Sequence, residues 1–229
     1  PPLLYDAGTA FTQLALLTPF AFRRRAEVAA EWRDASGGSW RGWLPHADFT
    51  AALADEASRV KVADPFADGV QMGPLANRRR LAAMEAFVQD ATDKGAKLLA
   101  GGARVGNRGW FFAPTVLADV PDDARIMSEE PFGPISPCRA VGSMDEALEI
   151  ANSLPMGLAG FVFSNSVEVT DHLSRGLQVG SVAVNVFTSP GADAPFGGTR
   201  ESGIGREGGP EMYHSYTVAK TIAERRQIV

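Results

Sequence analysis

The sequence predicts an α/β protein, a layered and mostly parallel sheet with helices on both faces. From Asp48 onward, segments with apolar residues at helical spacing alternate with short apolar, β-branched runs. Turns rich in Gly, Pro and Asn separate them. Strands divided by helices pair in parallel, because a parallel neighbour needs a crossover, and such sheets are covered on both faces. With 229 residues and 45% hydrophobic content, the chain has material for one sizeable core.

Phe49, Leu53, Ala57 and Val60 recur at helical spacing, so His46 to Val60 is a helix ended by Asp64-Pro65. Leu81, Met84, Phe87, Val88 and Ala91 mark a second helix, with Asn77 as N-cap and Gly95 as the stop. Lys97–Ala100 is a short strand closed by Gly101-Gly102, and Phe111–Val116 and Ile135–Val141 are further strands. Ser143 and Glu146 form the S-x-x-E capping box of a third helix whose inner face is Met144, Ala147, Leu148 and Ala151. Leu158–Phe163 reads as a strand, Val167–Arg175 as a helix and Ser181–Val186 as a strand.

Residues 1–44 follow no clean period. Three of the four tryptophans, Trp32, Trp40 and Trp43, fall there, beside Arg23-Arg24-Arg25 and Ser36-Gly37-Gly38-Ser39. The composition shift near Leu44 marks an internal boundary. The expected organisation is an atypical segment 1–44, a main domain 45–210 and a C-terminal tail 211–229.

Composition excludes several functions. A net charge of −5 lacks the cationic excess that nucleic-acid binding requires. Arg78-Arg79-Arg80 reads as a solvated helix face. The lone cysteine, Cys138, allows no internal disulfide and no thiolate zinc cluster, which suits a reducing cytoplasm. His46, His172 and His214 lack metal-ligand spacing, and no apolar run is long enough to span a membrane.

Two segments carry candidate chemistry. In Glu129-Glu130-Pro131-Phe132-Gly133-Pro134, the Glu130 carboxylate suits the two hydroxyls of a ribose, and Phe132 offers a flat apolar face. An acidic surface loop with its Phe packed inward is the alternative. Ala194-Pro195-Phe196-Gly197-Gly198, running on to Glu201-Ser202-Gly203-Ile204-Gly205-Arg206-Glu207, suits close backbone approach or an elaborate loop. Gly203, Gly205 and Gly208 match G-x-G-x-x-G formally, but polar, glycine-bearing residues precede them where the dinucleotide motif has a buried strand.

Taken in order from Pro45 to Ile222, these segments resemble the aldehyde dehydrogenase superfamily. The likeness rests on Asp64-Pro65-Phe66, Gly73-Pro74-Leu75, Gly95-Ala96-Lys97, Pro114-Thr115-Val116, Glu129 to Pro134, Ala151-Asn152, Asn185, Pro195 to Gly198, Gly205-Arg206-Glu207 and Tyr216 with Lys220. The Ala194–Gly205 stretch is most similar to bacterial semialdehyde dehydrogenases. The resemblance implies that Glu130 and Phe132 hold the cofactor ribose, that Phe196 lines the aldehyde entrance, and that Asn185 is a buried residue beside the catalytic loop. It also implies an assembly strand at Tyr216–Ile222. In that family a cysteine thiolate attacks the aldehyde, hydride passes to NAD or NADP, and water releases the acid.

Counting back from Phe49, the nucleophile position of the resemblance falls on Arg33, and no cysteine lies between Pro1 and Pro137. No catalytic residue is therefore assigned, and Cys138 reads as a small core residue. The expectation is a family fragment without nucleophile or NAD domain, inactive alone and binding NAD(P) weakly or not at all. A non-enzymatic assembly domain and half of a split enzyme are the alternatives. Expected partners are an aldehyde and a second copy or a related subunit, with no nucleic acid, membrane or metal. Residues 1–44 are expected to be a frame-shifted or decayed nucleophile region, the alternative being a genuine new N-terminal segment anchored by Trp32, Trp40 and Trp43.

Overall fold

The computed structural model describes residues 46–164, 166–186 and 191–225, with the backbone of three strands nearer the N-terminus. These are β1 (Ala15–Leu16), β2 (Glu31–Arg33) and β3 (Ser39–Arg41). The side chains of residues 1–45, Arg33 among them, lie outside the described residues.

The architecture is α/β. In order follow α1 (His46–Arg59), α2 (Arg78–Asp93), β4 (Lys97–Ala100), β5 (Thr115–Ala118), β6 (Ile135–Pro137), α3 (Met144–Asn152) and β7 (Met156–Gly157). Then come β8 (Ala159–Val162), α4 (Val167–Gly176), β9 (Ser181–Val184), β10 (Thr199–Arg200) and α5 (Met212–Tyr216). Two three-stranded sheets are ordered β4-β5-β6 and β1-β8-β9, and β7 pairs with β10 and β2 with β3.

The β1-β8-β9 sheet is parallel throughout, whereas the β4-β5-β6 sheet is mixed. β5 with β6 and β8 with β9 run parallel, but β4 runs antiparallel to β5. The physical reason is the connection. No helix joins β4 to β5; the chain turns at Gly101 and Gly102, both at positive φ, and returns through an Arg104–Phe112 bridge. A Cβ at Gly101 would overlap the Pro114 carbonyl, so this turn needs glycine. Between β8 and β9, α4 supplies the crossover that parallel pairing needs. The strand expected over Phe111–Val116 starts only at Thr115, after Pro114, and continues to Ala118.

Helix ends follow the sequence signals. Asn77 Oδ1 accepts from the Arg80 N–H at 3.0 Å. At the other end of α2, Ala96 N–H donates to Ala91 and Gly95 N–H to Thr92, the paired bonds of a Schellman cap around Gly95 at φ 106°. Ser143 Oγ accepts from Glu146 N–H at 3.0 Å, and the Glu146 carboxylate reaches back to the Gly142 N–H at 2.6 Å. Each side-chain cap of this kind contributes about 1 kcal/mol.

Three cores result. The largest sets Leu81, Met84, Phe87, Val88 and Ala91 of α2 against Phe112, Leu117 and Ile135. A second joins α3 and α4 to β8 through Ala147, Leu173 and Val162, with Met144, Leu148 and Ala151 packed on it. The third presses α1 on the first sheet through Ala54, Ala57, Ala100 and Val116. The inner face of α1 is Thr50, Ala54 and Ala57; of the Phe49, Leu53, Ala57 and Val60 stripe, Ala57 is buried and Leu53 packs partly against the core.

The expected C-terminal strand does not form within the single chain. Tyr216 closes α5, and residues 217–225 are exposed and belong to no sheet. A strand there requires a second edge to pair with. Among the described residues, no helix is long and apolar enough to cross a membrane.

Candidate functional site

The Glu129–Pro134 turn is held along α2. Lys94 Nζ donates to the Asp123 carbonyl at 2.5 Å, and Asp90 Oδ2 accepts from the Arg125 N–H at 2.8 Å. The Arg125 guanidinium stands 5.1 Å from the Phe87 ring centroid and grips both Glu129 oxygens at 2.8 Å. Nearer the start of α2, Arg80 donates to the Pro131 carbonyl at 3.3 Å and lies 5.9 Å from the Phe132 ring centroid. Gly133 rests on Met84, where a Cβ would overlap the sulfur. Finally the Thr115 N–H donates to the Pro134 carbonyl at 2.8 Å, delivering the chain into β6.

This arrangement separates two adjacent carboxylates. Glu129 is consumed by Arg125, which holds its carboxyl below the usual range. Glu130 is half-buried, and among the described residues nothing donates a hydrogen bond to it. Burial pushes its carboxyl upward, and the Arg80 charge pulls it partly back. Phe132 sits at φ 45° and remains 47% exposed, so its ring is not packed inward. An acceptor beside an open aromatic face is the geometry that a ribose with an attached ring would use.

Asn185 and Phe196 belong to the other half of the molecule. Asn185, at φ 56°, lies where the parallel strands β8 and β9 end, the usual ligand side of an α/β sheet. It is half-buried rather than buried, and its amide bonds the Ser164 backbone in both directions. Phe196 exchanges two backbone hydrogen bonds of 2.7 Å with Glu207. It lines a cleft of about 340 Å³ with Gly198, Ser202, Arg206 and Tyr216. Among the described residues, no hydrogen bond or ring contact joins this pair to Glu130 and Phe132.

Gly203, Gly205 and Gly208 lie in the irregular stretch between the two-residue strand β10, whose Arg200 is exposed, and the five-residue α5, so no buried strand leads into them. Cys138 packs beside Ala54 and Val116, and burial raises its thiol to about 11. It is protonated at neutral pH and a poor nucleophile there. Among the described residues, no group of three His, Cys, Asp or Glu side chains converges as for a metal.

Arg80 is a correction to the sequence reading. Arg78 and Arg79 are solvated as expected, but Arg80 is half-buried against the turn. Its i, i+4 relation to Met84 was the available signal, since both point to one face of α2.

A family model, aldehyde dehydrogenase family, matches residues 45–222. The chain belongs to the aldehyde dehydrogenase family. A 4-(hydroxymethyl)benzenesulfonate dehydrogenase of Comamonas testosteroni is 42% identical over 176 residues, covering 76% of this chain and 36% of the relative. The mitochondrial succinate-semialdehyde dehydrogenase of Arabidopsis thaliana is 38% identical over 174 residues, covering 76% and 33%. Among solved structures, the NAD+ complex of an aldehyde dehydrogenase from Bacillus cereus superposes with a TM-score of 0.72 at 34% identity, covering 76% and 35%. The chain spans about a third of the length of the relatives it matches.

That NAD+ complex poses the question of cofactor fit for this aldehyde dehydrogenase-family chain. The groups on offer are the half-buried Glu130 carboxylate and the 47% exposed Phe132 ring. Nothing among the described residues offers the glycine turn at a helix N-terminus that cradles a pyrophosphate.

Proposed function

We propose that residues 45–222 carry the ribose-facing edge of an NAD(P)+ site and part of the aldehyde path of a dehydrogenase. The reaction is oxidation of an aldehyde or semialdehyde to its acid. The observation that supports this reading is the Glu130 carboxylate, half-buried and without a donor among the described residues, two positions before the exposed ring of Phe132. When bound, the nicotinamide supplies hydride acceptance. Glu130 accepts hydrogen bonds from the ribose hydroxyls, Phe132 backs the ring, Phe196 lines the aldehyde entrance, and Asn185 stiffens the sheet end beside it.

The 229-residue chain by itself does not complete the reaction in this reading. Its one thiol is the protonated, packed Cys138, and Arg33 occupies the nucleophile position. Residues 1–44 are a frame-shifted or decayed nucleophile region, and translating the other two frames for a Gly-Gln-x-Cys motif tests that. Absorbance at 340 nm with a panel of aldehydes and semialdehydes tests the whole; turnover above about 1 s⁻¹ would overturn it. Calorimetry should give NAD+ a dissociation constant of about a millimolar or weaker, since a ribose edge offers few hydrogen bonds against the cost of ordering the ligand.

A second reading, an assembly domain, is favoured by the tail. Tyr213, Tyr216, Val218 and Ile222 are all largely exposed. They pair with a second copy or a related subunit, and the compartment is the cytoplasm. If a related subunit supplies the nucleophile and the rest of the cofactor site, mixing restores activity and identifies a split enzyme. Light scattering that finds only a 24.3 kDa monomer at high concentration would sink the assembly reading.

A further inference from the structure

Arg80 and Met84 are one helical turn apart, so both side chains leave α2 toward the same three residues, Pro131 to Gly133. Met84 is fully buried and fills the space beneath Gly133. Arg80 reaches across the turn, one N–H on the Pro131 carbonyl at 3.3 Å and the guanidinium 5.9 Å from the Phe132 centroid. Phe132 needs such a hold, because φ 45° is a conformation that a side chain with a Cβ keeps only when its surroundings enforce it.

We propose that Arg80 is a positioning residue for this site, fixing the turn so that Phe132 and Glu130 face one nicotinamide riboside unit together. The proposal rests on the reading of Glu130 and Phe132 given above. Arg80 does not touch the reacting atoms. The same guanidinium also opposes the effect of burial on Glu130. Among the described residues Arg80 is the charge that acts on Glu130, while Arg125, which packs on Phe87 of α2, is committed to Glu129. A merely structural arginine would hold the backbone without setting the ionisation of Glu130.

The test uses the full 229-residue chain with ¹³C-labelled glutamate and NAD+ as the probe. Carboxyl shifts report the Glu130 titration, amide shifts report Phe132 and Gly133, and saturation transfer reports the nicotinamide protons. Arg80→Met should move the Glu130 midpoint upward, shift both amides and weaken the NAD+ contact about threefold, the loss of one exposed cation–π contact. Arg80→Lys should restore the midpoint while leaving the amides displaced. Should Arg80→Met fail to fold, Arg80→Gln removes the charge and keeps a donor. An unchanged midpoint with unchanged amides in a folded variant overturns the proposal. If Glu130→Gln and Phe132→Ala leave the NAD+ signal at its wild-type level, the reading of the site fails, and the midpoint and amides still judge Arg80.

Discussion

Asn185 and Ser164 clamp each other where β8 and β9 end. Ser164 N–H donates to Asn185 Oδ1 at 2.9 Å, and Asn185 Nδ2 donates to the Ser164 carbonyl at 3.0 Å. Asn185 adopts φ 56° to do so, a region that Asn tolerates better than most residues. Asn185→Ala should therefore cost about 2–4 kcal/mol, from two hydrogen bonds and the left-handed backbone. Asn185→Gly loses the bonds and keeps the backbone, so it should cost about 1 kcal/mol less. Urea unfolding midpoints check the order; equal losses would mean the backbone is unstrained.

Gly133 and Met84 share one space. Gly133→Ala should destabilise by about 1–3 kcal/mol through overpacking, and Met84→Ala by about 2–5 kcal/mol through the cavity it opens. Combined, the added methyl enters the vacated volume, so the double variant should cost clearly less than the sum. Strict additivity in urea unfolding would show that the two residues do not compete for space.

Glu130 and Asp90 should give opposite pH signatures. Burial raises the folded Glu130 pKa above its ordinary 4.5, so its ionisation opposes folding at neutral pH. Its relative stabilisation is present below 4.5 and lost as pH rises through the folded value. Glu130→Gln should thus raise the melting temperature at pH 7, with the gain closing below 4.5. The folded pKa of Asp90 lies below its ordinary 3.8 because the Arg125 N–H and then Lys94 favour the carboxylate. Asp90→Asn should lower the melting temperature at pH 7, with the loss shrinking as pH falls below 3.8. Parallel pH curves for either variant and wild type would contradict the assignment.

Cys138 should be chemically quiet. With its thiol near 11 against an ordinary 9.0, the thiolate fraction at pH 8 is on the order of a hundredfold below that of a free peptide thiol. Iodoacetamide should alkylate it correspondingly slowly, with the rate climbing as pH approaches 11. Rapid alkylation at pH 8 in the folded chain would show an activated thiol and reopen its role.

The sequence by itself determined what depends on neighbours a few residues apart. Asn77, Gly95, Ser143 and Glu146 set helix ends because caps are local hydrogen bonds, and the 3.6-residue period found the buried face of α2. Glu130 was named as a candidate carboxylate from its turn of Phe, Gly and Pro together with the family resemblance, with an acidic surface loop as the alternative. Strand direction was not legible at β4 and β5, because pairing is set by how the intervening chain returns, and glycine conformations at Gly101 and Gly102 decided it. In the run of three arginines, the i, i+4 spacing to Met84 marks Arg80 as the one turned inward, but not what it meets there. It meets the turn because α2 lies against it, fifty-one residues further along the chain, and only packing brings the two together. The same packing separated the adjacent acids, giving Glu129 to Arg125 and leaving Glu130 without a donor among the described residues, since one guanidinium can fork around only one carboxylate.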